Sequence, residues 1–182
     1  NGVTLRASTT VRLVGTSTLK LGDATYGSGT LQFNNANTNA VPFQFGTTTT
    51  AFTAATGTVT FTGTGGGIRI ATTTYYNLTF TPTSTAAIST YRFNIGGSTC
   101  TTGGCTATTT VSNALTLNGY AQANFDRVAL ILSGSGTVFE KANGTFVANG
   151  ALVKYTNAGT ATNIATGTYE NLVISGTGIT KT

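Results

Sequence analysis

A stretch near the middle of the chain returns near its end. Phe52 to Thr83 realigns on Phe146 to Thr177 at a constant offset of 94 positions. The best-matched core sets Ile70-Ala71-Thr72-Thr73-Thr74-Tyr75-Tyr76-Asn77-Leu78 against Ile164-Ala165-Thr166-Gly167-Thr168-Tyr169-Glu170-Asn171-Leu172. Val59 and Phe61 fall on Val153 and Tyr155, and Phe52 and Ala54 on Phe146 and Ala148. Threonine pairs carry little weight in so threonine-rich a chain, but the aromatic, asparagine and β-branched matches hold one register. A fixed internal repeat marks a modular, often elongated β architecture. Both copies are therefore expected to follow the same backbone path. Val59, Phe61, Ile70, Leu78 and Phe80 should face inward, as should Val153, Tyr155, Ile164, Leu172 and Ile174.

The rest of the chain is written in the same style. Runs such as Val3-Thr-Leu5, Val11-Arg-Leu13, Leu31-Gln-Phe33, Val59-Thr-Phe61, Ile68-Arg-Ile70 and Tyr91-Arg-Phe93 are apolar at every second position. That period places one face inside and one outside a strand. Arg6, Arg12, Lys20, Arg69, Arg92 and Lys154 then read as outward strand positions. Arg127 to Leu132 is apolar almost throughout, so a strand covered on both faces is expected there. Threonine favours strands, the 24 glycines supply turns, and methionine and most other surface-helix formers are scarce. An all-β fold with little or no helix follows. Short strands with long connections favour a β-solenoid or β-helix-like array, at about 18 to 25 residues per rung; the alternative is a β-sandwich that exchanges a strand between subunits. Residues 1–45 form an N-terminal strand region out of register with the repeat, and residues 46–182 hold the two copies.

Only 7% of the 182 residues are charged and none is histidine. Histidine is the usual base at neutral pH and the commonest metal ligand. The acids are Asp23, Asp126, Glu140 and Glu170. Asp126 and Glu140 could be neighbours on adjacent strands, but each reads more simply as a surface charge beside Arg127 or Lys141. The glycine run Gly63 to Gly67 lacks the lysine and following helix of a phosphate loop, so it reads as a strand connection. No catalytic residue, metal site, cofactor or hydrolase activity is expected. The net charge is +5, yet the basic residues are scattered, which argues against nucleic acid as a partner. No apolar run is long enough to span a membrane as a helix.

Cys100 and Cys105 enclose Thr-Thr-Gly-Gly, a turn able to bring two sulfurs into range. A disulfide is the expected form, implying an oxidising compartment; two free thiols are the alternative. The sequence opens on asparagine without a signal segment, as a mature product of export would. Asn77-Leu-Thr79 and Asn143-Gly-Thr145 are acceptor triplets for glycosylation. In Tyr75-Tyr76-Asn77-Leu78 the asparagine is expected to hold a turn; the rival role is an aromatic platform for sugar.

Phe52-Thr-Ala-Ala-Thr-Gly-Thr-Val59-Thr-Phe61, Ile70 to Phe80, Val111-Ser-Asn-Ala-Leu-Thr-Leu117-Asn-Gly119 and Leu172-Val-Ile174-Ser-Gly176-Thr-Gly178 resemble the β-strand repeats of very large, β-helical, adhesin-like bacterial surface proteins. The resemblance covers most of the chain after about position 45. It implies an extracellular structural or adhesive role at the cell surface and names no ligand. A secreted subunit that self-assembles into an extracellular filament is the expected function; a carbohydrate-binding adhesin module of a large surface protein, with surface glycans as partners, is the alternative. The expected contact is head to tail between copies, through Val3, Leu5, Val11 and Leu13. Either the ends stack, or the N-terminal strand leaves its subunit to complete the next one.

Overall fold

The computed structural model describes residues 3–14, 18–22, 27–35, 37, 39–45, 51–83, 89–93, 107–156 and 163–175. Every regular element among them is a strand. In chain order these are β1 Thr4–Ala7, β2 Val11–Leu13, β3 Thr18–Lys20, β4 Thr30–Phe33, β5 Phe43–Phe45 and β6 Ala51–Thr53. Then come β7 Thr58–Phe61, β8 Ile68–Ile70, β9 Thr74–Phe80, β10 Ser89–Phe93, β11 Thr108–Asn118 and β12 Ala121–Asp126. β13 Ala129–Leu132, β14 Phe139–Ala142, β15 Thr145–Asn149, β16 Leu152–Tyr155 and β17 Asn171–Ile174 complete the set. The expectation of an all-β chain holds.

All the paired strands run parallel. A nine-stranded sheet has the order β1-β4-β7-β9-β11-β13-β16-β17, with β14 also on β11; a second sheet has the order β15-β12-β10-β8, and β2-β5 and β3-β6 form pairs. Two long strands each serve two sets of neighbours. In β11, Thr108–Val111 pairs β13, whereas Leu115–Asn118 pairs β14. Its register against β9 shifts between Val111 and Ala114. Strand pairing also crosses position 45, since β4 pairs β7 and β3 pairs β6.

The alternating sequence sends every second side chain inward. In β12 burial alternates strictly along Ala121–Asp126. One row across the large sheet reads Leu31, Val59, Leu78 and Leu115, all sealed from solvent. Beside it Phe33, Phe61 and Phe80 stack, with ring centroids 5.1 and 5.5 Å apart. Phe93 and Phe125 stack at 4.2 Å. In-register parallel strands lie about 4.8 Å apart, so like residues at equivalent positions meet as stacked rings. β13 is buried except for half-exposed Ile131, close to the two-sided cover expected of it.

The repeat is structural. Thr58, Val59, Thr60 and Phe61 pair Asn77, Leu78, Thr79 and Phe80. Leu152, Val153, Lys154 and Tyr155 pair Asn171, Leu172, Val173 and Ile174, and every one of these positions is displaced by the same 94. Tyr75 Oη donates to Ala71 O at 2.7 Å, and Tyr169 Oη donates to Ala165 O at 2.6 Å. The copies differ at three of the expected inward positions, two of them Ile164 and Ile174, which are half-buried where Ile70 and Phe80 are buried. Leu78 is wholly buried, but Leu172 is 39% exposed. β9 has strands on both edges, whereas β17 pairs only β16 among the described residues. Leu78→Ala is therefore expected to cost about 2–5 kcal/mol, and Leu172→Ala under about 1 kcal/mol. Urea unfolding of both variants would check the contrast; equal losses would contradict it.

Candidate functional site

β1 and β2 pair within their own chain, on β4 and β5. The N-terminal strand thus completes its own subunit instead of leaving it, which removes the donor-strand route. Register explains why: Leu5 falls on Leu31 and Ala7 on Phe33, so the segment continues rows already present in the core. Its other edge has no strand partner among the described residues. Val3 is 78% and Leu5 51% exposed, Val11 is half-buried, and Leu13 lies in the core at 9%. Val14, also exposed, adjoins them. The opposite extreme of the large sheet is β17, where Leu172 is exposed. Among the described residues, three of the five large exposed apolar side chains, Val3, Leu5 and Leu172, therefore lie at the two ends of the large sheet; the others are Val14, after β2, and Tyr120.

A groove of about 450 Å³ opens beside β1, lined by Arg6, Ala7, Ser8, Gln32, Asn34, Thr62 and Thr83. The lining offers amides, hydroxyls and one guanidinium. It brings no aromatic ring and no carboxylate to the groove, so it is equipped for hydrogen bonding and not for sugar stacking or proton transfer.

Asp126 and Glu140 are not neighbours on paired strands. Asp126 lies on β12, between β10 and β15, and accepts from Asn149 Nδ2 at 2.7 Å. Glu140 lies on β14, paired to β11, and is exposed. Glu170 accepts the Gly150 N–H at 2.7 Å. Asp23, Cys100 and Cys105 lie outside the described residues, and so does the expected disulfide. Among the described residues no three potential metal ligands gather, and no helix is long and apolar enough to cross a membrane.

Asn77 is held at both ends of its amide. Nδ2 donates to Thr58 Oγ1 at 3.3 Å, and Oδ1 accepts from Asn113 Nδ2 at 2.7 Å. This cross-strand ladder marks the place where β9 and β11 change neighbours. It occupies the nitrogen that glycosylation would need, whereas Asn143 is exposed at a turn with φ 67°. Tyr75 is wholly buried, and burial pushes its phenol far above the usual range, so it stays a neutral donor. It is core, not a sugar platform. Asn113 was invisible as a ladder member in the sequence, because its partner lies 36 residues away. No family model, no curated protein and no solved structure matches the chain.

Proposed function

We propose that the chain is a three-faced parallel β-solenoid and serves as a structural subunit of an extracellular filament at the cell surface. The strands sort by pairing into three series. β1, β4, β7, the second half of β9, the second half of β11 and β14 form one. β2 and β5, then β8, β10, β12 and β15, form another, bridged by Arg69 N–H to Ala40 O at 2.7 Å. β3 and β6, then the first halves of β9 and β11, then β13, β16 and β17, form the third, with Phe52 against Tyr75 at 6.0 Å. The chain visits the series in cyclic order from β1 through β16. Parallel pairing throughout also differs from the antiparallel pairing usual in sandwiches.

The observation that carries the filament reading is the pair of apolar-bearing edges, β1 and β17, that have no further strand partner among the described residues. An unpaired edge is a template for another strand. Two different ends meeting make a heterologous contact, which propagates as an open filament. The low charge density makes such a contact insensitive to salt. Under this reading the purified chain forms fibres visible by negative-stain microscopy. Because Leu13 belongs to the core, the test replaces only the exposed pair: Val3→Lys/Leu5→Lys should leave folded material, by circular dichroism, that no longer assembles. Fibres that persist in this variant would overturn the proposal.

A further inference from the structure

We propose that Arg69 and Arg92 form a binding site for the carboxylate or sulfate groups of an acidic polysaccharide. The two residues are in register on adjacent parallel strands, β8 and β10, so their backbones stand about 4.8 Å apart. Both side chains leave the sheet on its outer side, since Ile68, Ile70, Tyr91 and Phe93 fill the inner one. Like charges placed directly opposite each other repel. Neither guanidinium has an ion pair or hydrogen bond among the described residues, and Arg92 Nε is sealed from solvent with no acceptor. A buried donor left unpaired carries a penalty, which a turn of the Arg92 side chain toward an incoming anion relieves. The planar fork of arginine matches carboxylate and sulfate oxygens in pairs.

The surroundings favour a sugar as the carrier of that charge. Asn124 adjoins Arg92 in register on β12 and accepts from Gln122 Nε2 at 2.9 Å. On the other side, Gly67 has φ +71°; a Cβ there would stand 2.7 Å from Asn39 Oδ1 and 3.7 Å from Arg92 Nε. The bare glycine therefore keeps an amide and a guanidinium close together. Amides beside two cations suit sugar hydroxyls beside an acid group. Nucleic acid would call for exposed rings to stack bases, and the one aromatic among the large exposed apolar side chains, Tyr120, lies outside this pair. The site lies on β8 and β10, whereas the filament reading rests on β1 and β17, so the two are independent.

The experiment titrates the full chain with polygalacturonate, dextran sulfate, neutral dextran and single-stranded DNA. The protein is wild type, Arg69→Gln/Arg92→Gln, the single Arg69→Gln, or Arg12→Gln as a control that removes the same single charge as Arg69→Gln from another strand. Wild type is expected to bind polygalacturonate, dextran sulfate or both, and the preferred polymer identifies the acid group. The double variant should bind about tenfold more weakly or worse, with an unfolding midpoint no lower than wild type because a repulsion is gone. Arg12→Gln should bind like wild type, and neutral dextran should not bind. If the double variant does not fold, the exposed single change Arg69→Gln takes its place, with the same loss expected. Failure to bind either acidic polymer, an equal loss in Arg12→Gln, or DNA binding as tight as that of the polysaccharides would overturn the proposal.

Discussion

Phe80→Ala is expected to lower stability by about 3–5 kcal/mol, enough to unfold much of a marginally stable domain. Phe80 is fully buried on β9 and joins two parts of the core. It stacks on Phe61 at 5.5 Å, lies 4.6 Å from Tyr91, and meets Phe93 edge-on at 5.8 Å. Tyr91 is itself fixed by its hydroxyl, which donates to Gly63 O at 2.7 Å. Truncation removes a ring from the middle of the stack and leaves a cavity that paired strands on both edges of β9 cannot close. Urea unfolding with fluorescence detection would read the loss. A cost under about 1 kcal/mol would mean that the aromatic stack is not the core of the fold.

The second large effect is expected at a single glycine of the run Gly63-Thr64-Gly65-Gly66-Gly67. In Gly63→Ala the new Cβ would stand 1.9 Å from Asn35 O and 2.7 Å from Asn35 C, both backbone atoms. A rigid carbonyl cannot swing aside as a side chain would. Asn35 is tied in place as well, with Nδ2 donating to Thr9 O at 3.2 Å and Oδ1 accepting from Asn37 N at 2.9 Å. The substitution should cost about 3 kcal/mol or more. Gly66→Ala is the internal control: nothing lies within 4 Å of its Cβ, so its effect should stay within about 0.5 kcal/mol. Comparable thermal midpoints for the two variants would show that the turn accommodates a methyl group at either position.

That contrast also marks how far the sequence can be read. Gly63 and Gly66 sit three residues apart in one polar turn, and nothing local separates them. What separates them is Asn35, 28 positions before Gly63, brought against it by the pairing of β4 with β7. The acids behave alike: the possible nearness of Asp126 and Glu140 depended on strand neighbours, and the strands that hold them pair elsewhere. Arg69 and Arg92 were legible as outward strand residues, but their adjacency was not.

The spacing between paired residues is too uneven to leave a regular period in the sequence. Along the first series it is 26 from Thr4 to Thr30, 28 from Thr30 to Thr58, 19 from Thr58 to Asn77, and 37 from Asn77 to Ala114. The repeat of 94 adds a further disguise. β7 and its counterpart β16 share their local pairing, yet β7 lies between β4 and β9 whereas β16 lies between β13 and β17.

The sequence by itself determined the strand character, the inward and outward alternation and the equivalence of the two copies. Those properties depend on a two-residue period and on local side-chain chemistry, which survive any connection length. Only the tertiary structure decided that the pairing is parallel, that the N-terminal strand completes its own chain, and which residues stand side by side. Parallel neighbours are separated by long stretches of chain, and connections of unequal length set which row meets which.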